Sequence, residues 1–146
     1  MVRLEQNIWT ITGDPTEAAL VAAAEKACLS SQDLRSRHTR LDVIPFESDS
    51  KFMATLHKID GENHILLKGA PETVLERCAL SEAELGRIND AMATYARQGM
   101  RVIAFAHKKN VSVDQIRTAA VRGGLQFAGL LCMIDPPRTE AMDAIR

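Results

Sequence analysis

The chain has 146 residues, of which 46% are hydrophobic and 25% are charged, a balance typical of one globular domain rather than of a disordered segment. Its 18 basic and 19 acidic side chains leave a net charge of -1, which excludes a general electrostatic attraction to nucleic acid or anionic lipid. Apolar runs such as residues 127–134 are too short to span a bilayer and the first five residues do not resemble a signal peptide, so the sequence predicts a soluble, cytosolic chain.

The first third of the chain predicts a strand, a helix and a polar loop. Ile8–Ile11 has the apolar and β-branched composition of a short strand. Asp14 is positioned to cap a helix that has Pro15 in its first turn, Glu17 at its third position and an end near Cys28. The polar residues 30–40 predict a solvated loop with about one helical turn.

The middle of the chain predicts extended structure. Residues 41–46 are extended, because Pro45 disfavours helix at its own position and at the preceding one. Phe52–Ile59 and residues 64–68 predict two strands of an antiparallel hairpin, since the segment between them is rich in turn-forming residues.

The last part of the chain predicts helices that alternate with strands. One helix begins at Pro71 and reaches about Cys78, and Ser81 with Glu84 predicts the capping box of another, which ends at Gly99. Residues 100–106 predict a strand, 111–122 a helix, and 125–134 a strand so apolar that it is expected in the centre of a sheet. Residues 139–146 have a helical pattern too short to be stable alone. The fold class expected from this order is α+β, an antiparallel β-sheet flanked by helices.

The three cysteines indicate no disulfide framework and no metal site. Cys28, Cys78 and Cys132 are far apart, odd in number and without a C-x-x-C pair. Their apolar or helical surroundings predict buried thiols in a reducing compartment. The four histidines likewise show no metal-ligand spacing with cysteines or acids.

Residues 66–72, with the sequence LLKGAPE, place a cation where an apolar strand gives way to a small-residue turn and a helix start. Lys51 begins one predicted strand and Lys68 ends its partner, so both ammonium groups are expected at the same end of the sheet, where they can meet an anion. Solvated lysines at strand ends are the ordinary alternative.

Phe46 is the candidate platform for a purine base. The chain has only 4 Phe, one Trp and one Tyr, and Phe46 lies in the loop-like segment PFESDSK rather than in an alternating strand. Stacking of a base on an aromatic ring is worth ~1–3 kcal/mol. The alternative is an ordinary Phe that packs against the hairpin.

Four segments, GDPTE at 13–17, PFESDSK at 45–51, LLKGAPE at 66–72 and DPPR at 135–138, occur in an order and at separations that resemble the nucleotide-binding domain of a P-type cation-transporting ATPase. The resemblance implies a nucleotide-binding domain at residues 1–134, and at 135–146 a hinge and the start of a phosphorylation domain. The KGAPE and DPPR motifs are similar to those of the calcium-, sodium/potassium- and proton-pump branches, and GDPTEAAL favours the calcium or sodium/potassium branch over the proton pumps. The hinge residues are Asp135, Pro136, Pro137 and Arg138.

The resemblance also implies which residues bind ATP. In that family the residue that corresponds to Phe46 stacks on adenine. The residue that corresponds to Glu17 accepts a hydrogen bond from the adenine amino group, and the residue that corresponds to Arg101 lies near the phosphates. The residues alone leave Glu17 as a helix-cap partner and Arg101 as a surface arginine. The implied set is Glu17, Phe46, Ser48, Lys51, Met53, Lys68, Gly69, Ala70, Arg101 and Ile103.

The motifs that are missing from these 146 residues bound the activity. There is no Asp-Lys-Thr-Gly-Thr, which carries the phosphorylated aspartate of the family, and neither a P-loop nor a G-x-G-x-x-G motif. We therefore expect ATP, as Mg-ATP in the parent protein, to be bound without hydrolysis. The expected partners are the phosphorylation and actuator domains of an integral membrane protein, the isolated domain being monomeric.

Two other functions remain open from the sequence. One is an interaction module that kept the fold and lost nucleotide binding, for which Ser48 is a mild indication because some relatives have a basic residue there. The other is a small phosphohydrolase related to the haloacid dehalogenases. The absence of a D-x-D-x-[TV] motif disfavours the hydrolase.

Overall fold

The computed structural model describes residues 2–5, 8–11 and 14–134. The chain divides into two compact units, residues 1–40 and 41–146. Gly13, the predicted hinge at 135–138 and the predicted helix at 139–146 lie outside the described residues. No helix in the described ranges is both long and apolar enough to cross a membrane.

The first unit contains a β-hairpin and two helices. Strand β1 (Val2–Glu5), which the sequence did not predict, pairs antiparallel with β2 (Ile8–Ile11), which it did. Helix α1 (Pro15–Lys26) begins where predicted. The Asp14 carboxylate accepts hydrogen bonds from the backbone amides of Thr16 at 2.7 Å and Glu17 at 3.2 Å, which satisfies donors that the first turn leaves unpaired.

Helix α2 (Ser31–Arg37) is longer than the single turn expected in this polar stretch. The Ser30 hydroxyl accepts a hydrogen bond from the Asp33 amide at 3.2 Å, and the Glu25 carboxylate accepts one from the Ser31 amide at 2.9 Å. The bond from the Ser31 amide lowers the pKa of Glu25. The prediction of a loop was wrong because side-chain caps stabilise a helix whose composition is weakly helical.

The second unit is built on a five-stranded antiparallel sheet in the order β3-β4-β5-β6-β7. Its strands are β3 (Thr39–Ile44), β4 (Phe52–Ile59), β5 (Glu62–Gly69), β6 (Arg101–Lys108) and β7 (Gln126–Met133). Helices α3 (Pro71–Leu75) and α4 (Glu82–Arg97) lie between β5 and β6 in the chain. The predicted α+β fold, an antiparallel sheet flanked by helices, is confirmed.

The hairpin of β4 and β5 is held by a tight turn at Asp60 and Gly61. Their φ angles are 52° and 86°, as a two-residue turn with two left-handed positions requires. This turn sets Met53 opposite Lys68 and Phe52 opposite Gly69. The hairpin therefore forms where the sequence predicts it, with β5 starting two residues earlier.

The hydrophobic core lies on one face of the sheet. Alternate residues of β4 and β5, such as Leu56 at 0% and Leu67 at 2% exposure, point into it. Val74 of α3 and Leu125 contact the same cluster and are also fully buried. The capping box of α4 is confirmed, since Ser81 and Glu84 exchange side-chain to backbone hydrogen bonds.

The predicted helix at 111–122 was wrong. The structure has only a short 3-10 turn there (Thr118–Val121). The Val111 amide donates to the Asn63 carbonyl at 2.9 Å, and the Ile116 amide donates to the Asp42 carboxylate at 2.9 Å. The Ile116 amide, which a helix would pair internally, is thus satisfied by a distant partner, and β-branched residues at 111 and 113 favour the extended form.

Strand β7 lies at one edge of the five-stranded sheet rather than in its centre, so this prediction was wrong. Its apolar composition reflects contacts of Phe127 and Leu130 with the core. The expectation of three buried thiols was wrong for Cys28, which is exposed, while Cys78 and Cys132 are half-buried. Burial raises the pKa of the Cys78 thiol.

Candidate functional site

The register of β4, β5 and β6 places several predicted site residues at one end of the sheet, on the face opposite the core. Met53 lies opposite Lys68, and Lys68 lies opposite Phe105. Because side chains alternate along a strand, Ile103 and Arg101 share the face of Phe105. Arg101 is the first residue of β6 and is exposed.

The loop from Pro45 to Lys51 connects β3 to this end of β4. Phe46 is 60% exposed, so its ring lies at the surface and not in the core. The Lys51 amide donates to the Glu47 carbonyl at 2.8 Å and the Ser50 hydroxyl donates to the same oxygen at 3.3 Å. These bonds close a compact turn, on which Ser48 is exposed.

The two lysines differ in their surroundings. Lys51 directly precedes β4, and its Nζ lies 3.9 Å from Oε1 of Glu72, with the two side chains 58% and 61% exposed. Solvent screens an ion pair as open as this one, so its contribution to stability is small. Lys68, the penultimate residue of β5, is half-buried between Met53 and Phe105 on the neighbouring strands.

A concavity of about 410 Å³ lies beside Lys68 on this face of the sheet. Its walls are largely apolar, with Met53, Phe105 and Leu66 among them and Thr55 and His107 farther along the strands. A volume of this size and an apolar lining with one cation are typical of a small-molecule site.

Gly69 and Ala70 bring the end of β5 against Lys51. The Ala70 amide donates to the Lys51 carbonyl at 2.9 Å. A Cβ built on Gly69 would lie 2.8 Å from Cα and Cβ of Phe52, and closer still to the Lys51 carbonyl oxygen. The close approach of the two strands therefore requires glycine at position 69.

The sequence-based set omitted two residues that take part in this arrangement. Phe105 lines the concavity opposite Lys68, and the two-residue period of β6 from Ile103 is the signal that could have identified it. Glu72 pairs with Lys51 and stands in the KGAPE motif itself.

Glu17 lies in the first unit and is exposed in the first turn of α1. The predicted hinge residues lie outside the described ranges. Among residues 14–134 and the two described strands before them, no three His, Cys, Asp or Glu side chains lie together as metal ligands would. The described geometry therefore provides two features: the Lys68 ammonium group beside an apolar concavity, and the exposed Phe46 ring on the loop that leads to β4.

Comparison with known proteins gives one consistent family. A family model described as the P-type ATPase cytoplasmic domain N matches residues 2–140. The cation-transporting ATPase pma1 of Synechocystis is 46% identical over 94% of the chain. Calcium-transporting ATPase 1 of Bacillus cereus is 37% identical over 92%, and the sodium/potassium-transporting ATPase subunit alpha-B of Artemia franciscana is 32% identical over 92%.

The chain spans only 16% of the length of each of these relatives. The similarity therefore covers nearly all of this sequence and one segment of much longer proteins.

Proposed function

The chain belongs to the family of cytoplasmic N domains of P-type cation ATPases, and on this premise we propose that it binds ATP and presents the terminal phosphate to another domain of a longer parent protein. The observation that carries the proposal is the placement of Lys68 between Met53 and Phe105 at an apolar concavity, at the sheet end that receives the loop of Phe46.

The adenosine end of ATP is held by stacking and apolar contacts and by positive charge. The Phe46 ring, 60% exposed, stacks on the adenine face, which is worth ~1–3 kcal/mol. Met53 and Ile103 supply apolar wall, and Lys51 and Lys68 offset the negative charge of the nucleotide. Ser48, Gly69 and Ala70 border this site.

Two further residues act at opposite ends of the nucleotide. The Glu17 carboxylate accepts a hydrogen bond from the adenine amino group, so GTP, which lacks that group, binds less well. The Arg101 guanidinium holds phosphate oxygens with its planar fork of donors.

The contribution of this domain to the parent reaction is positioning. The chain binds the nucleoside and orients the triphosphate, while the aspartate that receives the terminal phosphoryl group belongs to a phosphorylation domain of the same parent chain. Mg²⁺ supplies charge neutralisation at the triphosphate when Mg-ATP is bound. Movement of this domain relative to the phosphorylation domain then brings the terminal phosphate to that aspartate.

The proposal places this domain on the cytoplasmic side of an integral membrane protein that transports a cation. It also predicts a weak affinity of the isolated chain for ATP, since much of the phosphate contact lies in the other domain.

A titration tests the proposal. The amide resonances of residues 46–53 and 66–72 are followed with ATP, GTP and AMP, while phosphate release is assayed in the same samples. We expect saturable shifts with ATP and AMP, weaker shifts with GTP, and no release of phosphate. A chain that responds to no nucleotide would be the interaction module with the same fold, and steady phosphate release would indicate a hydrolase.

A further inference from the structure

The backbone of Lys51 is held in a conformation that lysine does not favour. Its φ angle is 55°, in the left-handed region that a non-glycine residue adopts at an energetic cost. The turn bond from the Lys51 amide to the Glu47 carbonyl holds one side of this residue. Phe52, which follows it, is only 1% exposed and anchors the other side in the core.

The third support comes from the end of β5. The Lys51 carbonyl accepts the Ala70 amide at 2.9 Å, and the space that a side chain at position 69 would need is filled by that same carbonyl and by Phe52. Gly69 is itself buried, and its φ angle is not among the positive ones. The requirement for glycine is therefore one of contact with Lys51 and not one of backbone conformation.

We propose that Gly69 is a positioning residue that acts through Lys51: its missing side chain lets the Lys51 carbonyl dock on the end of β5, and this docking fixes where the Lys51 ammonium meets the nucleotide. The inference rests on the proposed function and goes beyond it, because the family resemblance places Gly69 beside the ligand, whereas these contacts give it an effect through another residue. Lys51 is then oriented from its backbone, with the exposed ion pair to Glu72 a minor constraint.

The test is a double-mutant cycle on ATP affinity. Lys51→Met removes the ammonium group and retains an unbranched side chain of similar length. We expect it to weaken ATP binding about fivefold. Gly69→Ala is expected to weaken binding by a similar factor, and the double variant by no more than about twofold beyond Lys51→Met. A purely structural role of Gly69 would give the same loss in both backgrounds.

A second variant covers the case in which Gly69→Ala does not fold. Ala70→Pro removes the amide that donates to Lys51 without adding a side chain at position 69, and the φ of -57° at Ala70 suits proline. It is expected to weaken ATP binding as Gly69→Ala does, again only when Lys51 is present. Gly86→Ala is the matched control, since nothing lies within 4 Å of a Cβ at this position of α4.

A measurement without nucleotide completes the test. In Gly69→Ala and Ala70→Pro, the carbonyl resonance of Lys51 should shift strongly relative to wild type, and in Gly86→Ala it should not. Unchanged Lys51 resonances, or equal losses of affinity in both backgrounds, would overturn the inference alone. Absence of ATP binding by the wild-type chain would overturn the proposed function, and the inference with it.

Discussion

Replacement of Phe46 by alanine separates nucleotide binding from folding. The ring is 60% exposed in the folded chain, so only about 40% of its surface is covered by the protein. Full burial of a Phe side chain is worth ~1.5–3 kcal/mol, and in proportion the loss of the ring removes about 1 kcal/mol of stability or less. The loss of stacking on adenine is larger, ~1–3 kcal/mol, which corresponds to about a 5- to 150-fold weaker affinity for ATP.

The assay is calorimetric titration of ATP into wild type and Phe46→Ala, with urea unfolding of both to measure the free energy of unfolding. Tyr95→Ala is the matched control, because Tyr95 is also exposed, at 40%, but lies on α4. We expect the control to bind ATP as wild type does. Phe46→Trp should retain most of the affinity, since it restores an aromatic face. An unchanged affinity of Phe46→Ala, or an equal loss in Tyr95→Ala, would refute the stacking role.

Two further predictions concern the fold. Leu56 is completely buried, so Leu56→Ala should lower the free energy of unfolding by ~2–5 kcal/mol. Leu66 lies on the other face of the sheet and is 40% exposed, so Leu66→Ala should lower it much less. Urea unfolding measures both effects, and equal losses would contradict the assigned core. Asp42→Asn should lower the melting temperature at neutral pH. The Asp42 carboxylate accepts a hydrogen bond from the backbone amide of Ile116 at 2.9 Å, and the variant loses the charge that strengthens this bond. An unchanged melting temperature would contradict this role.

The pH dependence of the Asp42 variant follows from the direction of its pKa shift. Hydrogen bonds from the amides of Ile116 and Val43 lower the pKa of Asp42 in the folded chain below its ordinary 3.8. A lowered pKa means that the stabilisation is fully present above the unfolded value and is lost as pH falls through the folded value. The melting temperatures of wild type and Asp42→Asn should therefore converge below about pH 4, and a difference that persists unchanged into the acid range would contradict this reasoning.

Elements with local signals were predictable from the sequence, and elements fixed by distant contacts were not. The capping box of Ser81 and Glu84 and the turn at Gly61 each carry their cause within four residues. The segment at 111–122 has an equally local helix-cap signal in Ser112 and Gln115, yet its backbone is bound by Asn63 and Asp42 from other parts of the chain. No local pattern contains those partners, so a helix was predicted where tertiary hydrogen bonds prevail.

The candidate site shows the same division. The exposure of Phe46 and the position of Lys68 at the end of β5 follow from their neighbours in the chain. The place of Phe105 beside Lys68 depends instead on the register of β5 with β6. The pairing of Glu72 with Lys51 depends on how the KGAPE turn leaves the sheet, which spacing alone does not reveal.

The same register couples the core to the proposed site. Lys68 directly follows Leu67, which is 2% exposed, and Lys51 directly precedes Phe52, which is 1% exposed. A slip of one residue between β4 and β5 would turn Lys68 into the core and expose Leu67. Burial of the apolar face therefore selects the one register in which both lysine side chains stay out of the core. The energy that folds this sheet thereby also positions the charges, and substitutions deep in the core should alter ATP binding only when they change the register.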